Sequence, residues 1–135
     1  VTVDHYRDLY PFLKDQPKFL FEYGQCLSKT GQYEEGIRIL TEGTRLSADP
    51  MFYNIMGKDA EALKHFGQAE ACFKQASYMV PHRLYPLYLL AKMYFESGQS
   101  EKGRDMARQV IQKEPKVMSD AVKEMKAELE ERLKP

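Results

Sequence analysis

The chain has 135 residues, of which 43% are hydrophobic and 30% charged, so it can bury a core and is not a disordered segment. Twenty Lys and Arg balance twenty Asp and Glu, which argues against a nucleic-acid partner, because proteins that hold a nucleic-acid backbone normally carry a basic excess. No apolar run approaches the roughly 18 residues of a transmembrane helix, so we expect no membrane insertion by this segment.

The first predicted helix lies in "DHYRDLYPFL", where apolar residues recur at helical spacing. We interpret residues 1–16 as the second helix of an upstream repeat whose first helix is missing. Four of its side chains are expected to dock on the next helix pair: Tyr6, Leu9, Tyr10 and Leu13. Since the chain begins with Val1 and not Met, we expect it to be an excised piece of a longer protein.

The sequence after residue 16 repeats itself with a period of 33 or 34 residues, so that Gly24 corresponds to Gly57 and then to Ala91. Each period contains two apolar patterns at helical spacing, ended by glycine or proline, which predicts two helices joined by a turn. The small residues at equivalent positions predict that the two helices of a pair cross closely. The predicted pairs are residues 17–49, 50–83 and 84–117.

A final helix is predicted in "MSDAVKEMKAELEERLKP", within residues 118–135, with Ser119 as its N-cap. Its narrow apolar stripe consists of Val122, Met125, Leu129 and Leu133. Glu128 and Arg132 lie four residues apart, a spacing that favours an ion pair along the helix. Because its other faces are charged, we expect this helix to cap the last helix pair.

The repeated pattern resembles the tetratricopeptide repeat, a helix–turn–helix unit of 34 residues. The second pair carries the family's pattern most fully, at Tyr53, Met56, Gly57, Phe66, Ala69, Phe73, Ala76 and Pro81. The first pair has Ala48 where the closing proline is usual, and the third has Ser100 in place of an aromatic residue. The resemblance implies an all-α fold, a right-handed superhelix of antiparallel helix pairs with a C-terminal capping helix.

In this family the first helix of each repeat lines a concave face, so the resemblance implies a peptide-binding groove there. The side chains that packing leaves over are expected to line it: Lys18, Phe21, Gln25, Asn54, Lys58, Tyr85, Tyr88, Lys92 and Phe95. Lysine stems and aromatic rings can pack along a peptide while the ammonium groups attract carboxylates. Asn54 and Lys58 partly match the lysine–asparagine clamp with which some family members bind a C-terminal carboxylate, but the first repeat has no matching pair.

The predicted function is therefore a scaffold that binds a protein or peptide partner. An alternative stays open, in which Phe21, Tyr88 and Phe95 pack within the fold or against neighbouring copies. The chain would then be a structural spacer or a self-association module with no peptide ligand.

The sequence contains no recognisable catalytic, cofactor or metal motif. His5, His65 and His82 are far apart and form no HExxH pattern, and Cys26 and Cys72 lack the spacing of a metal site. We interpret both cysteines as small buried hydrophobic residues. The isolated segment is thus expected not to be an enzyme and to need no cofactor.

Some phrases go beyond the generic repeat, among them "YPFLKDQPKFLFEYGQCLSKTGQY" and "DPMFYNIMGK". They resemble the region that follows the membrane-embedded part of bacterial O-antigen ligase or polymerase-type proteins. This resemblance implies a parent that acts on lipid-linked or surface polysaccharide, with the glycosyl-transfer chemistry outside the present residues. The segment would then be tethered to the inner membrane through a missing N-terminal region, on a side that the sequence does not indicate.

Overall fold

The computed structural model describes residues 2–135, and within that range all regular secondary structure is α-helical. The eight helices are α1 (Val3–Leu13), α2 (Pro17–Lys29), α3 (Tyr33–Thr44), α4 (Met51–Ala62), α5 (Phe66–Met79), α6 (Tyr85–Glu96), α7 (Ser100–Gln112) and α8 (Asp120–Leu133). The all-α prediction is confirmed. Among these helices none is long and apolar enough to cross a membrane.

The helices form a stack in which each one packs mainly on its neighbours in the chain. In addition, α4 contacts both α2 and α6, and α6 contacts α8, so these four helices lie side by side along one face. The core is accordingly a series of four apolar clusters along the stack and not one central cluster. Such a succession of helix pairs, each burying its apolar side against the next, is typical of helical repeat proteins.

Close crossing of the helices within a pair depends on glycine, as the sequence predicted. A Cβ atom on Gly57 would lie 2.5 Å from Cε1 of Phe73, a side chain that is completely buried. A Cβ atom on Gly24 would likewise collide with Leu40. A glycine within a helix costs about 1 kcal/mol relative to alanine, and here the close packing offsets that cost.

The turn between the two helices of a pair has a left-handed backbone conformation at the same position in all three repeats. Gly31 has φ of +81° and Gly98 has φ of +78°. The equivalent position of the second pair is Lys64, with φ of 64°, and it is the one non-glycine residue with positive φ between residues 2 and 135. Lysine therefore adopts a backbone conformation that its Cβ atom disfavours.

The first helix docks on α2, but through a different stripe than predicted. Val3 is buried, and Tyr6, Tyr10 and Leu13 pack against the same cluster. Leu9 is instead 39% exposed, so the expectation that it docks is wrong. The contact stripe runs through positions 3, 6, 10 and 13, and position 9 lies at the edge of this stripe, one helical turn before Leu13.

The C-terminal helix begins as predicted, since the Ser119 side chain accepts a hydrogen bond from the Val122 backbone N–H at 3.2 Å. Leu129 is completely buried against α6 and α7, and the other members of the predicted stripe pack around it. Lys126 Nζ donates to the carbonyl oxygens of Ile111 and Lys113, at 2.9 and 2.7 Å. These bonds satisfy carbonyl groups at the end of α7 and fix the position of α8.

Candidate functional site: the face formed by α2, α4 and α6

Three of the nine predicted groove residues present polar groups to solvent. Lys18 and Lys58 are exposed, and Gln25 is half-buried. Lys58 belongs to two cavities of about 340 Å³ each, one on either side of α4. We call the first the α2–α4 pocket, lined by Gln25, Ser28, Lys29, Tyr33, Ile55, Lys58, Asp59 and Ala62. The second is the α4–α6 pocket, lined by Lys58, Glu61, Ala62, Lys64, Phe66 and Glu96.

Two other predicted residues pack inside the stack. The Phe21 ring meets the Phe52 ring edge-on, with centroids 5.1 Å apart. Asn54 is only 2% exposed; its Nδ2 approaches the sulfur of Met51 at 3.5 Å, and its Oδ1 has no hydrogen-bond partner within residues 2–135. The expectation that Asn54 projects into a groove is therefore wrong, because its side chain is buried. The partial clamp suggested by Asn54 and Lys58 does not form on an accessible surface.

The four predicted residues of α6 contact one another or neighbouring elements. Tyr85 and Tyr88 stack with centroids 6.2 Å apart, and the Tyr88 hydroxyl donates to Glu128 Oε2 at 2.8 Å. Lys92 Nζ donates to the Tyr88 hydroxyl at 3.1 Å and lies 3.2 Å from the same Glu128 oxygen. Helix α8 thus covers part of the face that was predicted from the sequence to bind a peptide.

The guanidinium of Arg132 also belongs to this contact, since it lies 4.6 Å from the centre of the Phe95 ring. The expected Glu128–Arg132 ion pair along α8 is not among the ion pairs of the described residues, and that expectation is wrong. Both side chains bind α6 instead. Although burial lowers the pKa of Lys92, its hydrogen bonds with Tyr88 and Glu128 outweigh that effect and the pKa is raised.

A buried carboxyl group in α4 was not predicted as a site residue. Asp59 is 1% exposed, and Ser28 Oγ donates to its Oδ2 at 2.8 Å. Burial raises the pKa of Asp59 to about 6, although the Ser28 hydrogen bond and nearby Lys58 oppose the rise. A signal was present in the sequence, because the repeat period aligns Asp59 with Met93, which makes it an acid in an apolar position.

The α4–α6 pocket also contains an acid with a shifted pKa. Burial and the neighbouring Glu96 raise the pKa of Glu61 above its ordinary value. The two carboxylates give this pocket a more acidic lining than the α2–α4 pocket, whose accessible charges are Lys29 and Lys58. The two sides of α4 therefore differ in the charge that they offer a ligand.

The residues first considered for catalysis or metal binding lie apart in the structure. His5, His65 and His82 are all exposed, on three different segments. Cys72 is buried, which raises the pKa of its thiol to about 11, and Cys26 is half-buried. Throughout residues 2–135, no three His, Cys, Asp or Glu side chains are grouped so that they could hold a metal ion.

Comparison with solved structures gives matches over almost the whole chain. A structure titled "Crystal structure of MamA" has a TM-score of 0.74 and 15% identity, covering 96% of this chain and 85% of that one. The "CopN-Scc3 complex" has a TM-score of 0.73 and 16% identity, covering 96% and 75%. A structure of MamA from residue 41 to the end, from Desulfovibrio magneticus RS-1, has a TM-score of 0.71 and 17% identity, and the match covers 96% of this chain and 78% of that one. At these identities the likeness establishes the fold alone.

No curated protein matches the sequence. Two family models do, each described as a tetratricopeptide repeat, one over residues 17–50 and the other over residues 87–116. These segments overlap the first and third of the predicted helix pairs; in the structure the first holds α2 and α3, and the second holds most of α6 and all of α7. Residues 17–50 and 87–116 of this all-helical stack are therefore similar to tetratricopeptide repeats.

Proposed function

We propose that the chain is a protein–protein interaction scaffold that binds a segment of a partner protein across α4, between the α2–α4 and α4–α6 pockets. The observation that carries this proposal is the position of Lys58, an exposed lysine that lines both cavities. A segment lying across α4 would contact Lys58 and could place one side chain in each pocket. The α2–α4 pocket combines carbon surface with a few polar groups, as ligand pockets commonly do, whereas four of the six residues that line the α4–α6 pocket are charged.

The distribution of charge also favours ligand binding on the face formed by α2, α4 and α6. Lys18, Lys29 and Lys58 are exposed, and none of them takes part in an ion pair within residues 2–135. Uncommitted ammonium groups attract carboxylates, whereas Lys92 is already paired with Glu128. We therefore assign the ligand contacts to Lys18, Gln25 and Lys58, and assign Tyr85, Tyr88, Lys92 and Phe95 mainly to the junction with α8.

The test is selection of peptides from a random display library on the immobilised domain, followed by affinity measurement with purified variants. We expect Lys58→Glu to weaken binding of the selected peptides, since it reverses the charge between the two pockets. The matched control is Lys123→Glu, an equal charge change at an exposed position of α8. Failure to select any peptide, or equal affinities for the two variants, would contradict the proposal.

We also propose that the domain belongs to an envelope polysaccharide ligase or polymerase of the O-antigen type. The support is the resemblance of the phrases quoted above, including "DPMFYNIMGK". The test is the reading frame that encodes the chain in its source genome. Membrane-spanning segments of such an enzyme in the same frame would support the assignment, and a frame without them would refute it.

Self-association is a second candidate function, and exposed apolar side chains on α1 favour it. Phe12 is 79% exposed and Leu9 is 39% exposed on the same helix. Sedimentation equilibrium would detect concentration-dependent dimers, which Phe12→Gln should weaken. The matched control is Tyr78→Gln, at a position on α5 that is 70% exposed. A monomer at all concentrations would exclude this function.

A further inference from the structure

Asp59 is a buried acid without a cationic partner. Its carboxylate accepts one hydrogen bond, from Ser28, and takes part in no ion pair within residues 2–135. A buried carboxylate is costly unless it is paired with a cation or fully hydrogen-bonded. One hydroxyl group does not meet that requirement, since an ionised carboxylate offers about four acceptor positions.

The fold itself does not require an acid at this position. The repeat period aligns Asp59 with Met93, which is completely buried in the third repeat, and aligns Gly36 with Ala69. A Cβ atom on Gly36 would lie 3.0 Å from Asp59 Oδ2 and 3.2 Å from Ser28 Oγ. Gly36 thus leaves space for a carboxyl group where the third repeat packs methionine against alanine.

Asp59 is one of the residues that line the α2–α4 pocket, whose volume of about 340 Å³ is large enough for one long side chain. Ile55, Ala62 and the Tyr33 ring supply carbon surface in its lining, while Gln25 and Ser28 supply polar groups. A side chain with an aliphatic stem and a cationic end fits this arrangement, because the stem packs on the carbon surface and the cation meets Asp59.

Two exposed lysines, Lys29 and Lys58, belong to the same lining. They repel a lone basic residue and attract carboxylates, so a basic residue is favoured there only when acidic residues accompany it. Such a lining favours a ligand by the pattern of its charges and not by its net charge.

We propose that the α2–α4 pocket binds an arginine or lysine of the partner segment that is flanked on both sides by acidic residues. The basic group pairs with Asp59, and the flanking carboxylates pair with Lys29 and Lys58. The inference rests on the proposed function in one respect, namely that the ligand is a peptide segment.

The test uses three fluorescein-labelled peptides with identical Gly-Ser flanks and the cores Glu-Arg-Glu, Glu-Leu-Glu and Ala-Arg-Ala. We expect Glu-Arg-Glu to bind most tightly. Asp59→Asn, which keeps the shape of the side chain, should weaken Glu-Arg-Glu by about tenfold or more and leave Glu-Leu-Glu unchanged. Lys58→Glu should weaken both peptides with acidic flanks.

Asp59→Met serves as a second variant, because it copies the side chain that the third repeat carries at the equivalent position and is expected to fold. It too should bind Glu-Arg-Glu no better than Glu-Leu-Glu. Equal binding of Glu-Arg-Glu by the parent chain, Asp59→Asn and Asp59→Met would overturn the pocket assignment. If Lys58→Glu still weakened peptide binding in that case, the proposed scaffold function would remain supported. Absence of binding by all three peptides would overturn the assignment and count against the scaffold as well.

Discussion

The Tyr88 hydroxyl donates a 2.8 Å hydrogen bond to Glu128 and thereby joins α6 to the C-terminal helix. The same hydroxyl accepts a hydrogen bond from Lys92, whose ammonium group also reaches Glu128. The three groups form a closed cluster, so that each charge has a partner. Helix α8 therefore relies on two kinds of contact, the buried Leu129 and this polar cluster at its side.

Tyr88→Phe should loosen α8 without unfolding the stack. The change removes the hydroxyl group that bridges Lys92 and Glu128 and keeps the aromatic ring, so we expect a loss of about 1 kcal/mol. Hydrogen exchange of the α8 amides should become roughly fivefold faster, which corresponds to that free energy when exchange occurs by local opening. Tyr85→Phe is the matched control, because no hydrogen bond of the Tyr85 hydroxyl is formed within residues 2–135. Equal exchange in the two variants would show that the cluster does not hold α8.

The sequence was sufficient to predict the fold because each repeat carries residues that mark where its helices end and which side of each helix is buried. Gly31 and Gly98 occupy left-handed turns, and apolar residues at helical spacing mark the buried side of each helix. The prediction was wrong at Leu9, because helical spacing identifies the docking face of α1 but not the edge of that face, where Leu9 lies.

The candidate site was less predictable, because helical spacing indicates which residues share a face but not what covers that face. Tyr88 and Phe95 do lie beside each other on α6, yet α8 contacts both. Asn54 was expected to be accessible because it lies outside the predicted packing stripe of its helix, yet it is only 2% exposed. Asp59 was overlooked for the converse reason, since an acid next to Lys58 in the sequence resembles an ordinary solvated helix position.

Asp59 should make stability depend on pH. Its pKa of about 6 in the folded chain lies above the ordinary value of 3.8, so the folded state favours the protonated acid. The contribution of Asp59 to the free energy of unfolding is therefore largest below about pH 4, falls as the pH rises toward 6, and is lost above about pH 7. The free energy of unfolding changes by roughly 3 kcal/mol over this range. The groups near it are Ser28, Lys58 and the Cys72 thiol.

Urea unfolding of the parent chain and Asp59→Asn on both sides of this range measures the effect. The comparison between the two proteins is needed because Glu61, whose pKa is raised by burial, also affects the pH dependence of stability in this range. We expect the stability of Asp59→Asn relative to the parent to increase as the pH rises. A difference that stays constant with pH would contradict the raised pKa.

Lys64→Gly should stabilise the chain by about 0.5 to 1 kcal/mol. Lys64 has φ of 64° where the other two repeats have glycine, and a residue with a Cβ atom is strained in that conformation. The gain is smaller than the full strain because glycine also increases the entropy of the unfolded chain. Lys64→Ala is the control, since it removes the same charged side chain and keeps the Cβ atom. Thermal unfolding in which the two variants have the same midpoint would show that the turn is not strained.

Gly57→Ala should destabilise the chain by about 1 to 3 kcal/mol, because the new methyl group must displace a fully packed aromatic ring. Its Cβ atom would lie 2.5 Å from the Phe73 ring, and Phe73 has no exposed surface through which it could move away. Gly67→Ala makes the same chemical change in α5, where no atom outside the adjacent residues and backbone of the same helix lies within 4 Å of the new Cβ. That variant should be neutral or up to about 1 kcal/mol more stable, since alanine favours a helix over glycine. Chemical unfolding of the two variants separates the effect of close packing from that of helix propensity. A similar loss of stability in both variants would mean that Gly57 is not required for the close approach of α4 and α5.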